Sequence, residues 1–204
     1  MSQQIDVPAI VQLHTETVAR WHREPIANSF DGFMQLVCQQ HEFNYRLWHE
    51  EDIARSKDVS DAQIAQVKRN IDGLNQQRND WIEKLDDRIT EMLAAASVQP
   101  AEDAPINTET AGSAIDRLSI MSLRLYHYQE QLDRTDTSAE HRQKVQDRIT
   151  LCQQQQSDLA SSLQELLTDL FVGKKRHKTY RQMKMYNDPS LNPYLYAATK
   201  LRAG

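Results

Sequence analysis

The chain has 204 residues, 39% of them apolar and 26% charged, with a mean hydropathy of −0.71 and a formal net charge of −5. That length suits one sizeable domain, and no apolar run approaches the roughly 20 residues of a membrane span. Two cysteines and only five glycines and six prolines exclude a disulfide scaffold and a low-complexity chain; the residue balance favours helices over strands.

The first element spans about Val7 to His22, with Asp6 as N-cap and Val7, Ile10, Val11, Val18 and Trp21 on one side. Pro25 closes it. A second helix starts near Ser29 and ends near Lys57, carrying Phe33, Leu36, Val37, Leu47 and Ala54 at 3.6-residue spacing. The third opens on a capping box, Ser60 and Gln63, and buries Ile64, Val67, Ile71, Leu74, Ile82, Leu85, Ile89 and Leu93. A Pro-containing linker, "ASVQPAEDAPINTE", follows.

The fourth helix, about Thr110 to Leu132, is apolar nearly all round, which predicts a central position. The fifth opens on a second expected capping box, Thr137 and Glu140, and runs through Val145, Ile149, Cys152, Gln156, Leu159, Leu163, Leu166 and Leu170 to a Gly173 C-cap. The expected fold is all-α: an up-and-down bundle of about five long helices over residues 1–173, followed by a basic, Pro- and Tyr-containing extension over 174–204 that packs on or near it. Cys38 and Cys152 fall at apolar positions and read as buried reduced thiols. The opening "MSQQIDVPAI" has neither a basic nor an apolar signal region, so a cytoplasmic location is expected.

Charge is unevenly spread. From residue 172 onward eight Lys and Arg meet Asp188 alone, a balance of +7, which leaves −12 for the rest. A basic tail on an acidic body points to self-docking or to an anionic partner. The run "KKRHK" comes with no nucleic-acid reading motif, which argues against nucleic acid.

Three helices break their own apolar stripes. The second places His41, Asn44, Glu51 and Arg55 on its core-facing side; the third has Arg78 there, beside Asp72, Asn75 and Asn79; the fourth embeds Asp116, Arg117, Arg124 and His127. Charges in such positions must find one another or a ligand. One reading is a network in which Arg55, Arg78, Arg117 and Arg124 are satisfied by Glu51, Asp72 and Asp116 and fix helix register. The other is a polar inter-helix pocket for a small anionic ligand, phosphorylated or nucleotide-linked. There Arg55, Arg78, Arg117 and Arg124 would contact the anion, with Asp116 beside them, because guanidinium forks match phosphate and carboxylate geometry. Asn44, Asn75 and Asn79 would orient the ligand, and Glu51, Asp52 and His127 are the acid/base candidates.

No metal set is read from spacing. No histidine has a Glu three residues before it, and "HEED" has Ile53 where a second zinc-ligand histidine would stand. His127 and Glu130 are a two-ligand candidate at i and i+3. A partial likeness to all-helical nucleotide pyrophosphatases, with Glu83 and Asp86 matching one carboxylate motif and Glu50 and Glu51 beginning the other, makes magnesium a candidate cofactor. Ala54 lacks the final carboxylate of that motif.

The blocks "LWHEEDIAR" (47–55), "KRNIDGLNQQRNDWIEKLD" (68–86), "ETAGSAIDRLSIMSLRLYH" (109–127) and "YNDP" (186–189) resemble the bacterial domain-of-unknown-function family numbered forty-two fifty-four. Ala111 stands where that family commonly has Pro. The resemblance implies no reaction and no catalytic residue; it implies an association with glycosyltransferase and surface-polysaccharide genes. A second functional expectation follows: a non-enzymatic interaction protein whose long helices or basic tail mediate a homodimer or bind a partner such as a glycosyltransferase.

Overall fold

The computed structural model describes residues 5–183, 185 and 188–202, the last five of these by backbone alone. Tyr186 and Asn187 of "YNDP" and Lys184 of the basic tail lie outside the described residues, as do the side chains of Lys200 and Arg202. Six helices follow in order: α1 Val7–Trp21, α2 Gly32–Arg55, α3 Asp61–Ala95, α4 Ala111–Asp133, α5 Ala139–Phe171 and α6 Pro193–Arg202. No strand occurs among the described residues, and none of the helices is long and apolar enough to cross a membrane.

The ends of these helices follow local chemistry. Asp6 caps α1 by accepting from Ala9 N, and Ser60 with Gln63 closes a reciprocal capping box on α3. At α5 the cap is Ser138, which accepts from His141 N at 3.1 Å, instead of Thr137. Glu140, expected to reach back to the cap, binds Lys144 one turn later. The start of α2 is also later than expected. Asn28 accepts from Phe30 N and donates to Gln35 O, holding residues 28–31 extended, and the helix begins at Gly32.

Helices α2 and α3 form one antiparallel hairpin, with Glu50 opposite Asn70 and Phe43 opposite Trp81; α4 and α5 form another, with Ser122 opposite Gln156. Helix α4 lies at the centre and touches α1, α2, α3 and α5, as its nearly all-round apolarity requires. Ten of its residues, from Ala111 to Leu123, are buried. Helix α1 runs alongside α2 in the same direction, since His14 meets His41 and His22 meets His49; residues 22–31 carry the chain back. Ile10, Leu13, Leu85, Ile89, Ile115, Leu118, Leu163 and Leu167 form the innermost core, and Cys38 and Cys152 are buried free thiols. Burial pushes the Cys38 thiol up to about 11, which leaves it protonated and unreactive at neutral pH.

Two glycines set close contacts. At Gly112 an added Cβ would lie 2.7 Å from Ile82 O and 2.8 Å from an Asp86 carboxylate oxygen, so only glycine lets α4 start against α3. Asp86 accepts from Gly112 N at 2.7 Å and satisfies one of the free amides of that helix start. Gly173, at φ +74°, ends α5 in a Schellman motif: its N–H bonds Leu170 O and Lys174 N–H bonds Asp169 O.

Beyond Gly173 the chain leaves the helix and runs along the bundle without regular structure as far as residue 183. Gly173 O accepts from Ala101 N, and Arg176 donates to Pro105 O and Ala104 O, so the interhelical linker and the extension hold each other. His177 Nε2 bonds Asp86 O at 2.9 Å, and Arg181 pairs with Glu83 and Asp87 on α3. Residues 174–182 therefore dock on an acidic stripe of their own bundle, one of the two roles the charge asymmetry raised.

Candidate functional site

At mid-bundle, α2 turns Gln40, His41 and Asn44 inward, all fully or almost fully buried, towards Asp116 and Ser119 of α4. Asp116 Oδ1 accepts from Gln40 Nε2 at 2.6 Å, Asn44 Nδ2 at 2.9 Å and Arg78 Nε at 2.7 Å; Oδ2 accepts from Arg78 Nη2. The Asp116 bond raises the Arg78 guanidinium further above its ordinary value. Ser119 Oγ accepts from Asn44 Nδ2 at 2.9 Å and lies 2.7 Å from His41 Nδ1. A buried carboxylate with four donors is a saturated ion-pair network, and it ties α2, α3 and α4 in one register.

His14 of α1 lies against His41, with ring centroids 4.7 Å apart, and Trp21 stacks on His41 at 5.2 Å. Neither ring nitrogen of His14 has a hydrogen-bond partner. Burial lowers His41 to about 3, and burial followed by the nearby His41 lowers His14 well below its ordinary value. Both rings are neutral at physiological pH.

Next to this network, a cavity of about 380 Å³ opens between α2, α3 and α4. Asn44, Glu51, Asp52, Arg55 and Arg78 line it together with Leu47, Trp48, Ile120 and Leu123. Five residues singled out in the sequence thus line one cavity, with Asp116 bound to Arg78. The pairing follows the network reading in part. Arg78 meets Asp116, and Glu51 binds Arg55 on its own helix at 2.7 Å, with Arg55 exposed and Glu51 half-buried; Asp72 binds Lys68 and takes no part. Arg117 leaves the interior for Glu109, and with Arg124 it lines a separate groove of about 620 Å³ between α4 and α5. Asn75 and Asn79 are half-buried on α3 and make no hydrogen bond to the Asp116 cluster.

Three of the four carboxylates weighed for magnesium, all but Glu51, are engaged elsewhere. Glu83 accepts from Arg181 and from Gln182 N, Asp86 from Gly112 N, and Glu50 from Asn70. Among the described residues the cluster with metal-ligating geometry is different: His22 at the end of α1, His49 on α2 and His127 on α4. One ring nitrogen from each lies within 4.8 Å of the other two. His127 Nδ1 donates to Glu130 Oε2 at 2.7 Å, and His22 Nδ1 donates to Val18 O at 2.7 Å. The Nε2 atoms of all three are buried and have no hydrogen-bond partner. Aromatic rings enclose the group: Tyr126 stacks on His22 at 4.1 Å, Trp48 on His127 at 4.7 Å, and the Tyr45 ring lies 4.5 Å from His49. Burial, then the neighbouring His22 and His127, lower the His49 value.

In the sequence His127 reads as an acid/base or metal candidate, and His49, beside three carboxylates, as either a general base or a solvated residue near a helix end. His22 reads only as a helix end, and no local spacing joins positions 22, 49 and 127. One signal was available: each of the three lies at a helix face or end that also carries an aromatic residue, Trp21, Trp48 and Tyr126.

The fold and this interior define a class, an all-helical bundle whose central helix carries a buried polar seam. Within that class the chain belongs to the family described as "Protein of unknown function (DUF4254)", whose model matches residues 34–179. That span takes in the Asp116 network, the cavity, His49 and His127, while α1 with His22 lies before it. No curated protein and no solved structure matches the chain.

Proposed function

We propose that the α2–α3–α4 cavity binds a small anionic ligand, phosphorylated or nucleotide-linked. The observation that carries this reading is the lining of that cavity: Arg55 and Arg78 with Glu51, Asp52 and Asn44, alongside the apolar side chains of Leu47, Trp48, Ile120 and Leu123. A flat ring against Trp48 and an anion on the guanidinium groups would use both kinds of lining. Arg78 commits Nε and Nη2 to Asp116 and leaves Nη1 without a hydrogen bond. Arg55 is held by an exposed pair with Glu51, an arrangement worth about 0–1 kcal/mol, so exchanging that carboxylate for a phosphate is inexpensive. Glu51 and Asp52 are then free to accept ligand hydroxyls, to act as acid or base, or to share a magnesium ion with the phosphate. The pathway implied by the family resemblance, surface-glycan metabolism, is the ligand source this reading favours.

Isothermal titration with UDP and UDP-glucose, with and without Mg²⁺, tests the reading. Saturable binding weakened at least tenfold by Arg55→Ala, at unchanged thermal stability, is the expected result. Binding that is absent at millimolar ligand, or indifferent to Arg55→Ala, overturns it.

A second reading has its own observation. The extension exposes Tyr180, Met183, Met185, Leu191, Tyr194 and Tyr196, with Met183 and Tyr194 nearly nine-tenths accessible. A cluster of that kind suits a protein partner, a glycosyltransferase or a second copy of this chain, bound through the tail while the bundle is a non-enzymatic scaffold. Sedimentation of the full chain against one ending at Gln182 separates the two readings.

A further inference from the structure

We infer that His22, His49 and His127 form a binding site for one borderline divalent transition-metal ion of the zinc(II) class. The donor set is three neutral imidazoles, which suits zinc, cobalt, nickel or copper and disfavours magnesium or calcium. Zinc–nitrogen bonds of 2.0–2.1 Å at tetrahedral angles put donor nitrogens roughly 3.3 Å apart. The ring nitrogens already lie within 4.8 Å of one another, and modest ring rotations close that gap.

The tautomers are set for ligation. A carbonyl and a carboxylate can only accept, so the bonds to Val18 O and Glu130 Oε2 place the proton on Nδ1 of His22 and of His127. In the neutral ring each Nε2 then carries the lone pair, buried and without a donor to meet it. Carboxylate–histidine–metal and carbonyl–histidine–metal relays have this arrangement, with the outer partner orienting the ring and raising its basicity. The Nε2 atoms of all three rings are buried without partners, and an ion between the rings would relieve the cost of leaving such acceptors unpaired.

Three elements supply the ligands, so the ion would tie the end of α1 to α2 and α4. His49 also lines a groove of about 680 Å³ between α2 and α3, so one of the three rings borders a solvent-filled space. Three protein ligands leave a fourth position for water, the open coordination of a catalytic rather than a closed structural zinc site. The Trp48 ring, stacked on His127, also lines the α2–α3–α4 cavity, so the two sites are neighbours that share this ring.

The test uses the full chain without an affinity tag, stripped with chelator and titrated with Zn²⁺ against a chromophoric competitor and with Co²⁺ by visible absorption. One Zn²⁺ per chain and intense four- or five-coordinate Co²⁺ bands are expected. Glu130→Gln should weaken Zn²⁺ binding by about 10–100-fold, and His49→Gln or His127→Gln by more. Histidine ¹⁵N NMR of the unaltered chain keeps the test independent of folding in the variants: Zn²⁺ should shift Nε2 of His22, His49 and His127. Substoichiometric binding, unchanged resonances for these three rings, or equal affinity in a folded His22→Gln, His49→Gln, His127→Gln triple variant overturns the site. The UDP-glucose titration reads Arg55 in metal-free protein, so either result stands without the other.

Discussion

Asp116 is the residue whose loss the interior can least absorb. Its carboxylate is almost fully buried, and Gln40, Asn44 and Arg78 all direct donors to it. Asp116→Ala would leave a half-buried guanidinium and two buried amides without their acceptor, a loss of about 3–5 kcal/mol. Urea unfolding should show this as a lower midpoint at unchanged slope. Arg78→Leu should cost a similar amount, because it strands the carboxylate; Arg55→Ala, in an exposed pair, should cost less than about 1 kcal/mol. His14 and His41 carry a pH dependence. Unfolded, both titrate near pH 6.5; folded, His41 titrates near 3 and His14 well below its ordinary value. Between those limits the unfolded chain binds more protons. Stability is therefore full above pH 6.5 and declines as pH falls through 6 and 5, by up to about 1.4 kcal/mol per pH unit for each ring. Melting temperatures from pH 7.5 to 4.5 should trace that decline, and His14→Met should flatten it.

Each helix end carries its own prediction. Ser138→Ala should cost about 1 kcal/mol, the worth of an N-cap, and Thr137→Ala distinctly less. The sequence read Thr137 and Glu140 as the box because their spacing fits; Ser138 sits one residue on and takes the amide of His141, and two adjacent hydroxyls are locally indistinguishable. Gly112→Ala should cost about 1–3 kcal/mol, because a Cβ 2.7 Å from Ile82 O forces α3 and α4 apart. Thermal melts of these three variants check both statements. The Ser60 and Asp6 caps, the Gly173 stop and the central place of α4 were legible beforehand, since each rests on chemistry within a few residues. The need for glycine at 112 was not, because the group it avoids belongs to another helix.

For the molecule as a whole, the extension is two pieces with different tasks. Residues 174–182 bind the bundle through Arg176, His177 and Arg181, whereas the exposed Tyr and Met side chains follow them. A chain ending at Gln182 should melt within a few degrees of the full chain. One ending at Gly173 should melt several degrees lower, since about 1 kcal/mol moves the midpoint by 2–4 °C at this size. Calorimetry of the two truncations decides between a docked strap and a free tail.

The amino-acid sequence by itself determined the elements: the periodicity of the apolar stripes, the caps, the acidic body with its basic end, and the polar breaks in α2, α3 and α4. These are local, set by the 3.6-residue repeat and by side chains three or four positions apart. Tertiary structure alone decided which breaks meet. Helix rotation and neighbour choice put Gln40, Asn44 and Arg78 on Asp116, turned Arg117 and Arg124 to the face of α4 that meets α5, and gathered histidines from positions 22, 49 and 127 around one point. A one-residue change in register turns a helical side chain by about 100°, enough to exchange a core contact for solvent. That angle is fixed by packing between helices far apart in the chain, which is why the sequence names Asn44, Arg78 and Asp116 and a set of partners containing the Arg78–Asp116 and Arg55–Glu51 pairs, but neither Gln40 nor the departure of Asp72, Arg117 and Arg124 from the network.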